Sequence, residues 1–322
     1  MAWHRVALAV LTTTASVTKL LWPLRRRPVQ LTWESSPADF LVARDEDVVN
    51  VFEGLESNQR TRRVSETVMV KRCDYREYCN LEFAWKMLNG CELRVPKPFR
   101  HFEYSDGAGF TTGYLIMEYL SGQPWEHLND PCYDDAVIRA IRHLHRIDVQ
   151  TIARGLNPGS IDNKPADGFP WGENGSEIVF TSMEQVTQSV NKRLQTYARG
   201  QKAPASQYMI DFTKKSLVLC HLDLAPRNIL ILDDGSVALI DWETLAFYPI
   251  EFELACISKL QYDNPTRQQK VLLDGLVSHS AAATDGGKDD MEALKETMKR
   301  LRIVDRQSIR YHYGEESIDD EY

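Results

Sequence analysis

Several patterns that would assign this chain to a common class of protein are missing from its 322 residues. The six cysteines are scattered without a CxxC pair, so neither a zinc site nor a disulfide framework is indicated. The net charge of -8 gives no basic excess, whereas a protein that neutralises nucleic-acid phosphates needs a basic face. We therefore interpret the cysteines as free thiols in a reducing compartment and predict no nucleic-acid partner.

Long hydrophobic runs and early acidic residues are also missing. A membrane span needs about 20 apolar residues, and the apolar run at 6–11 is far shorter, so no stable membrane span is expected. Residues 1–33 contain no Asp or Glu but carry arginines and threonines, a composition typical of a mitochondrial presequence. We favour an unstructured or poorly packed extension of a cytoplasmic protein, with mitochondrial targeting as the alternative.

Periodic patterns begin after this extension. Short strands are predicted at 48–52 and 62–64, and a better one at 67–71 that ends on Lys71. A helix is predicted over 76–88, because Leu81, Ala84, Trp85 and Leu88 repeat at helical spacing and form one buried stripe.

The clearest local signal is a hairpin between 229 and 240. Two aliphatic runs flank Asp234-Gly235, and Asp-Gly between such runs is the strongest short-range hairpin signal. A two-residue turn centred on this pair predicts that Leu232 lies opposite Val237.

The same register predicts that Asn228 lies opposite Asp241. Directly opposed residues have Cβ atoms roughly 4.5 to 5.5 Å apart, so these two side chains could hold one divalent cation or two adjacent ones. Amide and carboxylate oxygens are the ligands that Mg²⁺ prefers. The hairpin therefore predicts a magnesium site at Asn228 and Asp241.

A loop with kinase spacing leads into the hairpin, since Asp223 precedes Asn228 by five residues. In kinase chemistry a loop Asp accepts the proton of the attacking hydroxyl, an Asn holds metal, and a later Asp bridges metal to the phosphates. The segments HLDLAPRN at 221–228 and IDWE at 240–243 together resemble the aminoglycoside phosphotransferase and choline kinase-like family. The resemblance runs from about Asp47 to Ile257.

This resemblance implies an α+β, two-lobed protein-kinase-like fold with a small β-rich N-lobe and a larger, mostly helical C-lobe. The expected domains are an N-terminal extension that is targeting or disordered (1–45), the N-lobe (46–120), the C-lobe with a substrate-capping insert near 155–210 (121–305), and an acidic disordered tail (306–322).

The resemblance also implies residue roles. Asp223 is the expected base, and His221 supports its loop. Lys71 is expected to contact the α- and β-phosphates of ATP, with Glu82 as its orienting carboxylate, because Glu82 stands thirteen residues before the segment VPKP at 95–98. Helical phase alone does not exclude Glu77. Glu243 is expected either to orient an arginine or to join a second metal shell.

Nucleotide contacts are expected from the main chain. The apolar strand near 114–120 would connect the lobes and present Glu118 and Leu120 to the adenine. The GxGxxG loop of protein kinases is missing, since 54–60 reads GLESNQR. Backbone N–H groups near Ser57 and Asn58 are expected to cover the phosphates instead.

The predicted activity is transfer of the ATP γ-phosphoryl group, with Mg²⁺, to a hydroxyl of a small molecule. A protein kinase needs an activation segment that ends in an APE-like anchor, and no such anchor follows IDWE. The alternative is a catalytically silent relative that binds nucleotide or metabolite in a regulatory role. The full set of expected catalytic side chains argues against this alternative, and the missing glycine-rich loop argues for it.

Overall fold

The structure is a computed structural model, which describes residues 26–54, 59–88, 90, 92–147, 157–172, 175–259, 265–282 and 288–310. The helices are α1 (Pro37–Val42), α2 (Asp45–Glu53), α3 (Tyr75–Leu88), α4 (Asp134–His145), α5 (Met183–Gly200), α6 (Ile250–Lys259), α7 (Arg267–Ala282) and α8 (Lys288–Arg310). The strands are β1 (Thr61–Arg63), β2 (Val68–Arg72), β3 (Leu93–Arg94), β4 (Pro98–Ser105), β5 (Thr111–Glu118), β6 (Gly122–Pro124), β7 (Gly159–Ser160), β8 (Val218–Cys220), β9 (Ile229–Leu232), β10 (Val237–Leu239) and β11 (Ala246–Tyr248).

The described residues divide into two compact units. The first contains the chain up to Gln123 together with Ile231–Glu243, and the second contains the remainder. Helices and mainly antiparallel sheets occur together, as an α+β fold requires. None of the helices in the described part of the chain combines the length and apolarity needed to cross a bilayer.

A four-stranded antiparallel sheet, in the order β1-β2-β5-β4, organises the first unit. Val68 and Val70 of β2 join a buried core cluster with Ile116 of β5. Because successive side chains of a strand point to opposite faces, Lys71 leaves this cluster on the other side of the sheet. It is nevertheless buried there, which is unusual for a lysine and requires charged partners.

Residues 48–52 form part of helix α2, so the strand predicted there is wrong. Val48, Val49 and Phe52 are all buried on one side of the helix, at the i, i+1, i+4 spacing of a helical face. Three acidic residues, Asp45, Glu46 and Asp47, occupy its first turn, where they interact favourably with the helix dipole. These two effects outweigh the strand preference of the valines.

The expectation of a poorly packed extension is wrong for residues 26–45. Phe40 and Ala43 are completely buried and belong to the core cluster of the first unit. The Arg100 guanidinium of β4 donates to the carbonyl oxygens of Phe40 at 3.1 Å and of Ala43 at 2.9 Å, and it also pairs with Asp45. Residues 1–25 lie outside the described part of the chain.

Replacing Phe40 with alanine is expected to destabilise the protein by about 3–5 kcal/mol, because a fully buried aromatic ring would leave a cavity. The neighbouring Leu41 is 39% exposed and provides the matched control, Leu41→Ala, with a much smaller expected cost. Thermal unfolding measures both, at roughly 2–4 °C per kcal/mol. Equal melting temperatures for the two variants would contradict the packing of this segment.

The second unit contains a three-stranded antiparallel sheet in the order β7-β11-β8 and an aromatic cluster. Tyr248 of β11 stacks on Phe252 with ring centroids 4.4 Å apart, and Trp171 packs 5.1 Å from Phe180. The Trp171 indole N–H donates to the Tyr248 hydroxyl at 2.8 Å. The segment 157–172, which lies within the region 155–210 that is expected to cap the substrate, is therefore tied to the core through Trp171.

The predicted disordered tail begins too early. Helix α8 continues to Arg310, and Ser308 is buried, with its hydroxyl donating to the Pro170 carbonyl at 2.9 Å. Just before it, Asp305 pairs with Lys259 at 2.8 Å. Residues 306–308 therefore belong to the packed second unit, whereas 311–322 lie outside the described residues.

The hairpin has a three-residue loop rather than the predicted two-residue turn. The Gly235 N–H donates to the Leu232 carbonyl at 2.8 Å, and the Leu232 N–H donates to the Ser236 carbonyl at 2.9 Å. Gly235 has a φ of 80°, which is the geometry of a type I turn followed by a G1 bulge. Leu232 thus lies opposite Ser236, and the predicted register is wrong by one residue.

The far end of the hairpin does not follow the predicted pairing either. Asn228 ends a short 3₁₀ turn, Pro226–Asn228, and Asp241 lies beyond β10 with a φ of 68°. Neither residue is part of a strand. Cross-strand geometry therefore no longer supports their direct opposition, and a shared metal between them stays a prediction.

Candidate active site

Lys71 is the centre of the polar cluster in the first unit. Its Nζ lies 2.5 Å from Glu77 Oε1 and 2.6 Å from Asp241 Oδ1. Burial opposes the charged form, but the two carboxylates outweigh it and raise the pKa of Lys71 above its usual value. The ammonium group therefore remains charged and joins helix α3 to the chain that follows β10.

The prediction that Glu82 pairs with Lys71 is wrong, because Glu77 occupies that position. Glu82 instead pairs with Lys86 at 2.9 Å on the same helix. Glu77 stands four residues before Leu81 and continues the buried stripe of α3. Glu82 follows Leu81 directly, so its side chain points about 100° away from that of Leu81 around the helix axis. Extending the stripe backwards by one turn from Leu81 was the signal that could have identified Glu77.

The segment 241–243 is held in place by groups that the sequence patterns did not identify. Asn80 of α3 donates from Nδ2 to the carbonyl oxygens of Trp242 at 3.0 Å and Glu243 at 2.9 Å. The Trp242 side chain is buried, and its Nε1 donates to the Leu239 carbonyl at 2.9 Å. These contacts stabilise the positive φ of Asp241 and aim its carboxylate at Lys71.

The carboxylates of this cluster fit a hard divalent cation. One oxygen each from Glu77, Asp241 and Glu243 lies within 4.8 Å of the others. Oε2 of Glu77 is buried and has no hydrogen-bond partner among the residues that the structure describes. Burial, opposed by Lys71 and reinforced by the other two carboxylates, raises the pKa of Glu77 to about 7. A cation would relieve this excess of negative charge, and oxygen donors are those that Mg²⁺ prefers.

Glu243 also lies near an arginine, as one of its two expected roles requires. Arg60 Nη2 is 3.7 Å from Glu243 Oε2, and both side chains are about half exposed or more. An exposed pair of this length contributes little to stability. Its effect is therefore limited to orienting the two side chains.

Replacing Glu77 with glutamine is expected to weaken nucleotide-dependent activity by at least tenfold, because Lys71 would lose a buried charged partner. Glu82→Gln is the matched control on the same helix, since it removes only a partly exposed pair with Lys86. Initial rates of ATP consumption measure both variants. If Glu82→Gln proves the more damaging of the two, the assignment of Glu77 is wrong.

In the second unit, a buried glutamate anchors the loop that carries Asp223. Glu253 of α6 accepts the backbone N–H of His221 at 2.6 Å and of Leu222 at 2.8 Å. Leu222 has a φ of 61°, a strained conformation for a branched residue. Charge-assisted hydrogen bonds to two consecutive amides hold the chain in this conformation. In the sequence, a glutamate that follows Phe252 and precedes the apolar run 254–257 was the available signal for this role.

Asp223 is held by its own loop. Its Oδ2 accepts from Asn228 Nδ2 at 2.7 Å and from Arg227 Nη2 at 3.0 Å, and its Oδ1 lies 3.3 Å from the same guanidinium nitrogen. The Asp223 N–H donates to His221 Nδ1 at 3.3 Å, and Thr244 Oγ1 donates to the His221 carbonyl at 2.8 Å. The carboxylate therefore has a defined orientation and remains partly accessible.

The predicted nucleotide contacts are only partly within the described residues. Strand β5 ends at Glu118, whose N–H donates to the Lys97 carbonyl at 2.9 Å. The Glu118 N–H is therefore already bonded, and an adenine contact through the main chain of Glu118 stays a prediction. Leu120 follows in the connection to β6. Ser57 and Asn58 lie outside the described residues, so the predicted phosphate contacts there are not placed.

Comparison with known proteins gives a family. A sequence model described as the phosphotransferase enzyme family matches residues 49–294. The predicted α+β, protein-kinase-like fold is thereby confirmed. A comparison with curated protein sequences gave no match.

The solved structures to which the chain is similar include three phosphotransferases. The GDP and kanamycin complex of APH(2")-IIia has 14% identity, covers 81% of this chain and 88% of the other, and gives a TM-score of 0.48. Aminoglycoside-3'-phosphotransferase of type VIII has 15% identity, coverages of 74% and 84%, and a TM-score of 0.42. Aminoglycoside phosphotransferase APH(4)-Ia has 14% identity, coverages of 79% and 92%, and a TM-score of 0.39.

Proposed function

Because the chain belongs to the phosphotransferase enzyme family, we propose that it transfers the γ-phosphoryl group of ATP to a hydroxyl of a small organic molecule. The observation that best supports this is the geometry of Asp223. Its carboxylate is fixed by Asn228 at 2.7 Å on a loop whose amides are held by the buried Glu253. A general base needs such a fixed and accessible carboxylate.

In the proposed step, the acceptor hydroxyl donates its hydrogen bond to Asp223 and loses its proton to that carboxylate. The acceptor oxygen forms a bond to the γ-phosphorus, and the bond from that phosphorus to the β–γ bridging oxygen breaks. ADP leaves with the electron pair of the broken bond. Since the transition state is loose, the main contributions of this chain are positioning and charge neutralisation.

Other residues would hold the nucleotide and its metal ion. Lys71, held by Glu77, would contact the α- and β-phosphates, and His221 would support the Asp223 loop. Asn228 and Asp241 would hold Mg²⁺, which neutralises phosphate charge when bound. The main chain of Glu118 and Leu120 would contact the adenine, and the backbone near Ser57 and Asn58 would cover the phosphates.

We also propose that the region 155–210 caps a small acceptor. No APE-like anchor for a peptide substrate follows the IDWE segment, which supports a small molecule over a protein as the acceptor.

The scattered cysteines, read as free thiols, support a reducing compartment, and we propose that the protein is located in the cytoplasm.

Two measurements on the full chain test the proposed function. A thermal shift with ATP and Mg²⁺ reports nucleotide binding, and an ATP-consumption screen over sugars, amino alcohols, hydroxy acids, choline and aminoglycosides reports transfer. ATP-dependent stabilisation together with acceptor-stimulated consumption is the expected result. Stabilisation without consumption in any class would favour a silent nucleotide-binding protein, and the absence of both would reject the proposal.

A further inference from the structure

Arg227 occupies an unusual place in the loop that carries the proposed base. Its guanidinium contacts both carboxylate oxygens of Asp223, yet its side chain remains 54% exposed. The segment 221–228, HLDLAPRN, contains no other arginine or lysine. The Arg227 guanidinium is partly exposed and adjacent to the proposed base, so it can interact with an acceptor molecule bound beside Asp223.

The hydrogen bonds of Asp223 restrict where an acceptor hydroxyl can approach. A carboxylate oxygen offers about two acceptor positions. Oδ2 already accepts from Asn228 at 2.7 Å and from Arg227 at 3.0 Å, whereas Oδ1 has, among the described residues, only the longer Arg227 contact at 3.3 Å. An incoming hydroxyl therefore donates most readily to Oδ1.

This approach brings the acceptor close to the guanidinium. A hydroxyl oxygen bonded to Oδ1, at about 2.7 Å, shares that oxygen with Arg227 Nη2. Substituents on the neighbouring carbon of the acceptor then lie within a few ångströms of a permanently charged cation. Two unit charges about 4 Å apart interact by enough to change an equilibrium roughly fivefold even in water, and more near a protein surface.

We propose that Arg227 is a specificity-determining residue, which selects acceptors that carry an anionic group beside the reacting hydroxyl. A carboxylate or phosphate there accepts hydrogen bonds from the guanidinium, while an ammonium group at the same position is repelled. This inference rests on the proposed function, because it takes Asp223 as the base. It gives the acceptor a chemical class: hydroxy acids and related anionic alcohols rather than amino alcohols.

Two matched acceptor series test the inference with the 322-residue chain and MgATP. Glycerate, glycerol and aminopropanediol share a three-carbon skeleton and differ in charge. Gluconate, glucose and glucosamine share a six-carbon skeleton and differ in charge in the same order. The measured quantity is the ratio of kcat/KM for the anionic member to that for the cationic member, from ATP consumption above the rate without acceptor. A ratio is insensitive to any general loss of active protein.

The wild type is expected to favour the anionic member by roughly tenfold or more. Arg227→Met, which keeps length but removes charge, should bring the ratio close to one, and Arg227→Glu should invert it. Arg227→Lys should retain the preference in part. Arg139→Glu, at an exposed position of α4, changes the net charge by the same amount as Arg227→Glu. It should leave the ratio of kcat/KM values unchanged.

Failure of the inference and failure of the proposed function give different results. ATP turnover with equal responses to the three charges, including no response to any, would overturn the role of Arg227 alone. A wild-type preference for the cationic member would do the same. If the wild type turns over no ATP and matches Asp223→Asn throughout, the proposed function fails and the inference fails with it.

Discussion

Replacing Asp223 with asparagine is expected to lower phosphotransferase turnover by roughly 10²- to 10⁴-fold, the usual contribution of a general base. MgATP affinity should stay nearly intact, because Asp223 acts on the acceptor hydroxyl in the proposed step. Asparagine keeps the shape of the side chain and can still accept from Asn228. Initial-rate kinetics for turnover and calorimetry for nucleotide affinity separate the two effects.

A suitable control for this change is Asp211→Asn, which removes an exposed carboxylate from the same unit. Its turnover should equal that of the wild type. An unchanged rate for Asp223→Asn would rule out the residue as the base. A parallel loss of MgATP affinity would instead place Asp223 in nucleotide binding.

Asp241→Asn is expected to weaken MgATP binding itself, by roughly 10- to 100-fold or more. Even residues one shell removed from a metal commonly contribute that much to metal affinity. Asp241 is the proposed magnesium ligand, and its carboxylate also pairs with the buried Lys71 at 2.6 Å. Turnover should fall in parallel, whereas binding of ATP without Mg²⁺ should change much less. Titrations with and without Mg²⁺ measure this difference.

Asp233→Asn provides the comparison, because it removes an exposed carboxylate from the turn of the same hairpin. It should leave both titrations unchanged. If Asp241→Asn binds MgATP as tightly as the wild type, the metal assignment is wrong. If it weakens ATP binding equally with and without Mg²⁺, the contribution of Asp241 passes through Lys71 rather than through a metal.

The residues of the Asp223 loop could be located from the sequence because their spacing is short. HLDLAPRN at 221–228 places Asp223 and Asn228 within one loop, where few backbone conformations keep them apart. The structure has the two side chains 2.7 Å apart. Lys71 could be located for a similar reason, since it ends an apolar strand run. Their catalytic roles remain predictions that the variants above test.

Two local patterns led to wrong structures because another interaction outweighed them. The valines at 48–52 favour a strand, but their spacing buries one side of helix α2 against the core. Asp234-Gly235 favours a two-residue turn, but Asp234 Oδ1 accepts from the Ser236 N–H at 2.9 Å. That contact stabilises the three-residue loop with its bulge at Gly235.

The sequence by itself determined the family, the α+β class, and which loop carries the proposed base, since these depend on residue types at short, fixed spacings. Only the tertiary structure decided that Glu77 rather than Glu82 holds Lys71, that Glu253 anchors the Asp223 loop, and that residues 26–45 complete the first core. The physical reason is that these contacts join residues distant in sequence. Burial in a low-dielectric interior makes the correct charged partner strongly favourable and an unpaired charge costly, and which side chains are buried depends on how the elements pack together.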